Sequence, residues 1–160
     1  MSGKLKKNNE ILRLRKEEME NLRRKLKTQQ NQKNWGGMDE FLNEEICRTI
    51  MGLLQGKEIK REAKRDDYPE LHLSILQLSQ LNIAVEKHFN GFGMMLTGLF
   101  PKISRDEMNQ CQLYLLNLED VQIAALLNCD YSTIKKRSGK LRKVFGTEKE
   151  LLFFIRGFVL

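Results

Sequence analysis

The stretch DVQIAALLNCDYSTIKKRSGKLRKVFG, residues 120–146, constrains the fold of this chain more than any other feature. Apolar residues recur at helical spacing on both sides of the turn NCD, which predicts two short helices. Asp130 is placed to cap the second helix, and Gly146 is placed to end it. The predicted inward residues are Val121, Ile123, Ala124 and Leu127 in the first helix and Ile134, Leu141 and Phe145 in the second. A helix, a tight turn and a second helix form the helix-turn-helix pattern.

The second of these helices carries charge of almost one sign. Residues 130–146 hold six Lys or Arg and one Asp, and residues 1–33 hold eleven Lys or Arg and four Glu. Residues 34–129 hold nine basic and fourteen acidic residues, so the net charge of +7 is concentrated in two separate places. Because a helix that enters the major groove needs a basic outer face, we expect double-stranded DNA as the partner.

The recognition helix is predicted to cover about residues 131–145 and to lie in the major groove. Five residues on its N-terminal half are expected to reach base edges: Tyr131, Ser132, Lys135, Lys136 and Gly139. Five others are better placed for phosphates: Thr133, Arg137, Lys140, Arg142 and Lys143. Phosphate contacts supply affinity without reading sequence, and Lys and Ser read bases loosely. One copy of the motif is therefore expected to have modest specificity.

Helices are also predicted on both sides of this pair. Ser104 and Glu107 form the capping box that begins the preceding helix, whose expected inner face is Met108, Cys111, Leu115 and Leu116. Thr147 and Glu150 have the same spacing before the apolar segment LLFFIRGFV. Residues 147–160 either form a dimer contact or pack on the helices of residues 38–100.

Residues 38–100 also show helical patterns. An apolar stripe at Leu42, Ile46, Ile50 and Leu53 or Leu54 predicts one amphipathic helix stopped by Gly56. The polar stretch up to Pro69 is either a solvated helical extension or a flexible connector. From Leu71 to Phe89 the pattern fits a strand or a helix, and helix is favoured because no second strand-like run is available to pair with it. Phe89, Phe92, Leu96 and Leu99 are expected in the core, not around a ligand, so no small-molecule site is expected.

The N-terminal segment 1–33 has Leu5, Leu12, Met19 and Leu26 at seven-residue spacing, but only one apolar residue among Asn8, Arg15 and Leu22 at the other seam positions. A coiled coil, a solvated helical linker and a helix on a membrane surface all fit. We therefore expect an all-α chain in four parts: a basic helical or coiled-coil segment at 1–33, a linker at 34–37, a helical connecting region at 38–100 and a helix-turn-helix domain at 101–160.

The segment LEDVQIAALLNCDYSTIKKRSGKLRKVFG resembles the LuxR/GerE type of helix-turn-helix. It matches at Ile123 and Ala124, at Leu127, at the STIK opening of the recognition helix and at the LRKVFG ending. Residues 38–160 are similar to the C-terminal cytoplasmic part of Bacteroidetes regulators that join a tetratricopeptide sensor, a membrane helix, a coiled coil and such a domain. The resemblance implies a transcription factor with a four-helix domain that acts as a dimer, through the N-terminal helix, residues 147–160 or both. Glu119 departs from the Ser or Thr cap that the family favours.

These patterns predict a sequence-specific DNA-binding transcriptional regulator. Two alternatives stay open: a partner-binding adaptor that keeps the fold, and a sigma-factor-like promoter-binding region, which would need a polymerase-binding domain upstream. RNA polymerase is a candidate partner. No enzyme activity, catalytic residue or cofactor is predicted, because no nucleophile has a base at plausible spacing and no Gly-rich phosphate loop occurs.

The cysteine spacing and the hydropathy of the chain limit which sites it can carry and where it is expected in the cell. Cys47, Cys111 and Cys129 are odd in number and widely spaced, so reduced core thiols are expected and no metal site is predicted. The chain has no run of about 18 apolar residues and no signal-peptide pattern. We therefore expect a cytoplasmic chain, either by itself or as the cytoplasmic part of a membrane-anchored regulator.

Overall fold

The computed structural model describes residues 2–33 and 37–159. Over these ranges the chain forms nine α-helices and no strand, so the predicted all-α class is confirmed. The helices are α1 (Ser2–Lys33), α2 (Met38–Leu42), α3 (Glu45–Leu54), α4 (Ile75–His88), α5 (Phe92–Leu99), α6 (Arg105–Tyr114), α7 (Asp120–Leu126), α8 (Tyr131–Phe145) and α9 (Leu151–Arg156). In these ranges, no helix combines the length and the apolar character needed to cross a bilayer.

The middle of α1 packs on the globular part of the chain. Met19 is 3% exposed, and the Arg15 Nη1 atom donates to the carbonyl oxygen of Leu99 at 2.9 Å. Gly146 has φ +68, and a Cβ there would lie 3.0 Å from the carbonyl oxygen of Leu12, so this close approach needs a glycine. Three predicted seam residues of α1 thus contact the chain's own helices, namely Leu12, Arg15 and Met19, and the coiled coil stays a prediction.

The predicted linker at 34–37 lies outside the described residues except for Gly37, which precedes α2 with φ +86. The prediction of a single helix before Gly56 is wrong, because Asn43 and Glu44 separate α2 from α3. Glu44 has an extended backbone (ψ 142), and its Oε1 accepts from His88 Nε2 at 2.7 Å and from Lys87 Nζ at 3.0 Å. Lys87 and His88 lie 43 and 44 positions after Glu44 in the sequence, so no local pattern indicates these contacts with α4.

The ambiguous segment after Pro69 is helical, so the favoured prediction is confirmed. The helix α4 begins later than the apolar pattern suggested, because Ser74 and Gln77 form a capping box: the Gln77 amide donates to Ser74 Oγ at 3.1 Å, and the Ser74 amide donates to Gln77 Oε1 at 2.8 Å. Leu71 is buried in a 3-10 turn that precedes α4, whereas Ile75 is 86% exposed.

The buried apolar side chains form one cluster that extends across the proposed boundary at residue 101. It includes the four residues predicted for the core around α5, Phe89, Phe92, Leu96 and Leu99, which are all 2% exposed or less. The helix α6 lies at the centre of the fold, in contact with both α4 and α9. The division at residue 101 stays a prediction, but the two sides share a core.

The predicted capping box at Thr147 and Glu150 is wrong, since α9 begins at Leu151 with Glu150 in the N-cap position. Residues 146–149 instead close the end of α8. The Thr147 amide donates to the Arg142 carbonyl at 3.0 Å, and Arg142 Nη2 donates to the Glu148 carbonyl at 2.6 Å. Leu151, Ile155, Phe158 and Val159 are buried in the chain's own core, whereas Phe153 is 61% exposed.

Candidate nucleic-acid interface

The helices α7 and α8 are joined by residues 127–130, with Asn128 in the left-handed region at φ +55. The Cys129 amide donates to the Ala124 carbonyl at 3.0 Å and thereby closes the end of α7. The predicted inner face of α8 is confirmed, because Ile134, Leu141 and Phe145 are at most 1% exposed. In α7 the buried residues are Ile123, Ala124, Ala125 and Leu126, whereas Val121 and the C-cap residue Leu127 are only partly buried.

The preceding helix begins as predicted. The Glu107 amide donates to Ser104 Oγ at 3.1 Å, and the Ser104 amide donates to Glu107 Oε1 at 3.0 Å. Burial raises the pKa of Glu107, but the hydrogen bonds from Ser104 and the contact with Lys140 outweigh it and hold the pKa below its ordinary value. At the start of α7, Glu119 stands in the cap position, and its amide donates to Gln122 Oε1 at 2.9 Å.

A buried polar network sets the position of α8 against α6 and α7. The Gln110 side-chain amide donates to Ser138 Oγ at 3.0 Å and to the Tyr114 hydroxyl at 3.1 Å. The Tyr114 hydroxyl donates to Asp120 Oδ1 at 2.6 Å and lies 2.8 Å from Ser138 Oγ. Burial, followed by the hydrogen bond to Asp120, raises the pKa of Tyr114, so the phenol stays neutral.

Sequence reasoning missed this network, although one signal was present. Ser138 lies four positions after Ile134 and three before Leu141, on the apolar face of α8, where a polar side chain needs a partner. A buried hydrogen-bonded network fixes one relative placement of its helices more strictly than apolar contact does. The three-helix arrangement is therefore held in a defined geometry behind the basic face of α8.

Asp130 occupies the N-cap position of α8, but its side chain makes no capping hydrogen bond, so that part of the prediction is wrong. Its Oδ1 atom instead accepts from the Arg65 amide at 2.7 Å. Neighbouring Asn128 uses its side-chain oxygen to accept from the Asp66 amide at 2.9 Å. The carboxylate thus holds a segment 65 residues earlier in the chain against the turn.

None of the ten predicted DNA-contacting residues is buried. The exposed ones are Ser132, Lys135, Lys136, Lys140 and Lys143. The partly buried ones are Tyr131, Thr133, Arg137, Gly139 and Arg142. Ser132, Lys136 and Lys143 lie on the side of α8 opposite its three core residues, as the helical spacing predicted, whereas Tyr131, Arg137 and Arg142 lie beside the core face and are partly buried. The division of the ten residues between bases and phosphates stays a prediction.

Three of the six basic side chains of α8 form ion pairs within the chain, and a fourth, Arg142, donates to the backbone carbonyl of Glu148. The ion pairs join Lys135 to Asp120 at 3.5 Å, Arg137 to Asp106 at 3.5 Å and Lys140 to Glu107 at 3.3 Å. Lys136 and Lys143 pair with no acidic residue among those that the structure describes. These two lysines, seven positions apart and hence two turns apart on α8, are the part of the basic face that needs an external counter-charge.

Gly139 lies in the middle of α8, where a glycine costs roughly 0.5–1 kcal/mol relative to alanine. A Cβ at this position would meet no heavy atom within 4 Å, so packing inside the chain does not require the glycine. With no side chain at this position, the surface between Lys136 and Lys143 is open, and this position is here called the recess. Close approach of another molecule's backbone is one physical reason for such a glycine.

The first residue of α8 lies near cations from two elements. The Tyr131 ring centroid is 5.9 Å from Arg61 Cζ and 5.9 Å from Lys135 Nζ. Arg61 belongs to the polar stretch before Pro69, which forms turns and not a helical extension. Sequence reasoning placed no functional residue there.

The three cysteines are free thiols, and burial raises the pKa of Cys47 to about 12. Across the part of the chain that the structure describes, no three His, Cys, Asp or Glu side chains are grouped closely enough to hold a metal ion. Comparisons with protein-family models, with curated proteins and with solved structures give no significant match.

Proposed function

We propose that this chain is a DNA-binding transcriptional regulator with a LuxR/GerE-type helix-turn-helix, and that α8 enters the major groove. The observation that carries the proposal is the single-sign face of α8. From Tyr131 to Thr147 the sequence has six basic residues and no acidic one, and all six side chains are exposed or partly buried.

A solvated helix surface normally mixes charges, because like charges at neighbouring helical positions repel each other. Here repulsion is relieved for three bases by ion pairs with α6 and α7. Arg142 donates to the Glu148 carbonyl, and Lys136 and Lys143 are left unneutralised. Duplex DNA supplies closely spaced phosphates along a groove about 12 Å wide, which admits one helix. Phosphate is therefore the counter-charge that fits this face best.

Ser132, Lys136, Gly139 and Lys143 follow one another at spacings of four, three and four residues, so they share one side of α8. This side has a hydroxyl near the helix start, a glycine recess at its centre and an ammonium group on each side of the recess. We propose that Ser132 and Lys136 face base edges and that Lys143 meets a phosphate.

Homodimerisation through α1, residues 147–160 or both is part of the proposal. Ile11 and Leu14 are each 51% exposed, and Phe153 is 61% exposed, so both elements keep apolar side chains available to a second copy. Light scattering after size exclusion should give about twice the 18.8 kDa chain mass. A monomer at micromolar concentration would remove dimerisation from the proposal without affecting the role of α8.

The test is binding to mixed-sequence duplex DNA over a range of salt concentrations. The variant Lys136→Gln/Lys143→Gln removes two positive charges from α8, and Arg48→Gln/Lys87→Gln removes two exposed charges from α3 and α4. If α8 meets phosphate through Lys143, the first variant should lower the slope of log affinity against log salt by about 0.9, whereas the control should leave it unchanged. Equal slopes for both variants and the unmodified chain would contradict the proposal.

A further inference from the structure

The polar segment at residues 57–68, here called the basic loop, is held on the helix-turn-helix by three side-chain hydrogen bonds, and a fourth lies within its end. Two join it to the turn, from the Arg65 amide to Asp130 and from the Asp66 amide to the Asn128 side chain. A third runs from the Asn128 side-chain amide to Asp66 Oδ1 at 3.0 Å. The fourth is internal, from the Lys64 amide to Asp67 Oδ2 at 2.8 Å. The loop is therefore ordered by specific partners although it contains no helix.

The acids and bases of the basic loop differ in their partners. Asp66 and Asp67 are exposed, but each carboxylate accepts one of the hydrogen bonds that fix the loop. Four basic side chains are exposed and make no ion pair with a residue that the structure describes: Lys60, Arg61, Lys64 and Arg65. Glu58 and Glu62 are exposed as well, which leaves the outer surface with an excess of positive charge.

This surface adjoins the N-terminal half of α8. Arg61 lies over the Tyr131 ring, whose centroid is equally distant, 5.9 Å, from Lys135 of α8. Arg61, Tyr131 and Lys135 also line the same open groove. The bases of the loop and of the recognition helix therefore meet at Tyr131.

We propose that the basic loop is a second DNA-contacting element, which meets backbone phosphates next to those that flank the N-terminal half of α8. The inference rests on the proposed function and deepens it. Because hydrogen bonds to Asn128 and Asp130 order the loop before DNA arrives, its bases contact phosphate without the entropic cost of ordering a free segment. The same hydrogen bonds align the loop with the recognition helix, so both elements approach the duplex together.

A purely structural role for the loop makes a different prediction. To brace the turn, the chain needs Asp66, Asn128 and Asp130, but it has no need of exposed bases at positions 60, 61, 64 and 65. Neutralising those bases while keeping the hydrogen-bonding residues therefore separates the two roles. Gln retains much of the aliphatic stem of Arg or Lys and removes the charge.

The experiment compares Arg61→Gln/Arg65→Gln with the charge-matched control Arg48→Gln/Lys87→Gln, using the full chain and mixed-sequence duplex DNA. The loop variant should lower the salt slope by about 0.9 for each phosphate that the loop no longer neutralises, and weaken binding at least about tenfold at 0.1 M salt. The control should change neither quantity. Lys60→Gln/Lys64→Gln provides a second loop variant, and circular dichroism checks that each variant folds.

Three outcomes would overturn the inference. If both loop variants keep the slope of the unmodified chain while Lys136→Gln/Lys143→Gln lowers it, the loop does not meet DNA, but the proposed function stands. If the control lowers the slope as much as the loop variants do, DNA binding depends on the net charge of the chain and not on the position of the loop. If the unmodified chain binds no duplex at low salt, the inference fails together with the proposed function.

A further variant tests the ordering of the loop. Asn128→Gly keeps the left-handed backbone at the turn but removes both side-chain bonds to Asp66. We expect faster hydrogen exchange of the Asp66 amide and a salt slope between those of the unmodified chain and the loop variants. An unchanged slope despite faster exchange would overturn the claim that pre-ordering contributes to binding.

Discussion

The helices α1 and α8 are both rich in Lys and Arg, but they present these residues differently. In the middle of α1, glutamates lie among the bases, and Arg13 lies 3.9 Å from Glu10 and 3.6 Å from Glu17 on the same exposed surface. In α8 the apolar face is buried, and the six bases outside it have no acidic residue of the same helix among them. If the proposed function holds, the arrangement of charge along a helix, and not its amount alone, decides whether its surface suits phosphate.

The largest expected difference between the two helices is in stability. Leu141→Ala in α8 truncates a fully buried side chain and should lower the free energy of unfolding by about 2–5 kcal/mol. Leu14→Ala in α1 truncates a side chain that is 51% exposed and should cost less than about 0.5 kcal/mol. Urea denaturation of both variants measures the difference, and equal losses would contradict the assigned core.

The next effect concerns the polar network that joins α8 to α6 and α7. Tyr114→Phe removes the hydroxyl that contacts Gln110, Asp120 and Ser138, and should cost about 1–3 kcal/mol because buried polar groups lose their partner. Tyr131→Phe in α8 is the matched control, since this tyrosine is only partly buried and lies outside the network. Similar melting temperatures for the two variants would show that the network does not hold α8.

Gly139→Ala separates stability from binding on the basic face of α8. The new methyl group meets no atom of the chain, so helix propensity should raise stability by about 0.5–1 kcal/mol. If DNA approaches the recess, affinity should fall in the same variant.

The control for this change is Gly52→Ala in α3, where a Cβ also meets nothing within 4 Å. It should stabilise the fold by a similar amount with no effect on affinity. A Gly139→Ala variant that binds DNA as tightly as the unmodified chain would argue against close contact at this recess.

The smallest effect is a pH dependence. The pKa of Glu107 is lower in the fold than its ordinary value of 4.5, so its ionised form stabilises the fold above that pH. This contribution to stability is lost as the pH falls from about 4.5, the ordinary pKa, to below the lowered pKa of the folded state. Glu107→Gln keeps a capping-box residue but removes the charge, and should flatten that part of the stability profile. Parallel profiles for the two proteins between neutral and strongly acidic pH would contradict the assignment.

Local patterns in the sequence predicted much of the fold. The spacing of Ile134, Leu141 and Phe145 indicated the inner face of α8, and Ser104 with Glu107 marked the start of α6, because these features depend on residues within a few turns. The all-α class followed from the same periodicity. Those predictions needed no knowledge of which helices meet.

The features that sequence reasoning missed depend on contacts between distant residues. Asp130 fits the local pattern of a helix cap, but its carboxylate accepts a hydrogen bond from the Arg65 amide instead. Gln110, Tyr114 and Ser138 have no shared local pattern in the sequence, and they form a network only once α6 and α8 pack together. The basic loop carries mixed charges in sequence, and its hydrogen bonds to Asn128 and Asp130 depend on residues more than 60 positions away.

The most direct test of DNA binding through α8 compares Lys136→Glu with Arg13→Glu in duplex binding at a fixed, low salt concentration. Both variants change the net charge equally, and both positions are on helix surfaces. We predict that Lys136→Glu weakens binding at least about tenfold, since it replaces an ammonium group in the groove with a carboxylate that the surrounding phosphates repel, whereas Arg13→Glu changes affinity less than about twofold. A larger loss for Arg13→Glu would contradict the role of α8 and assign DNA contact to α1 instead.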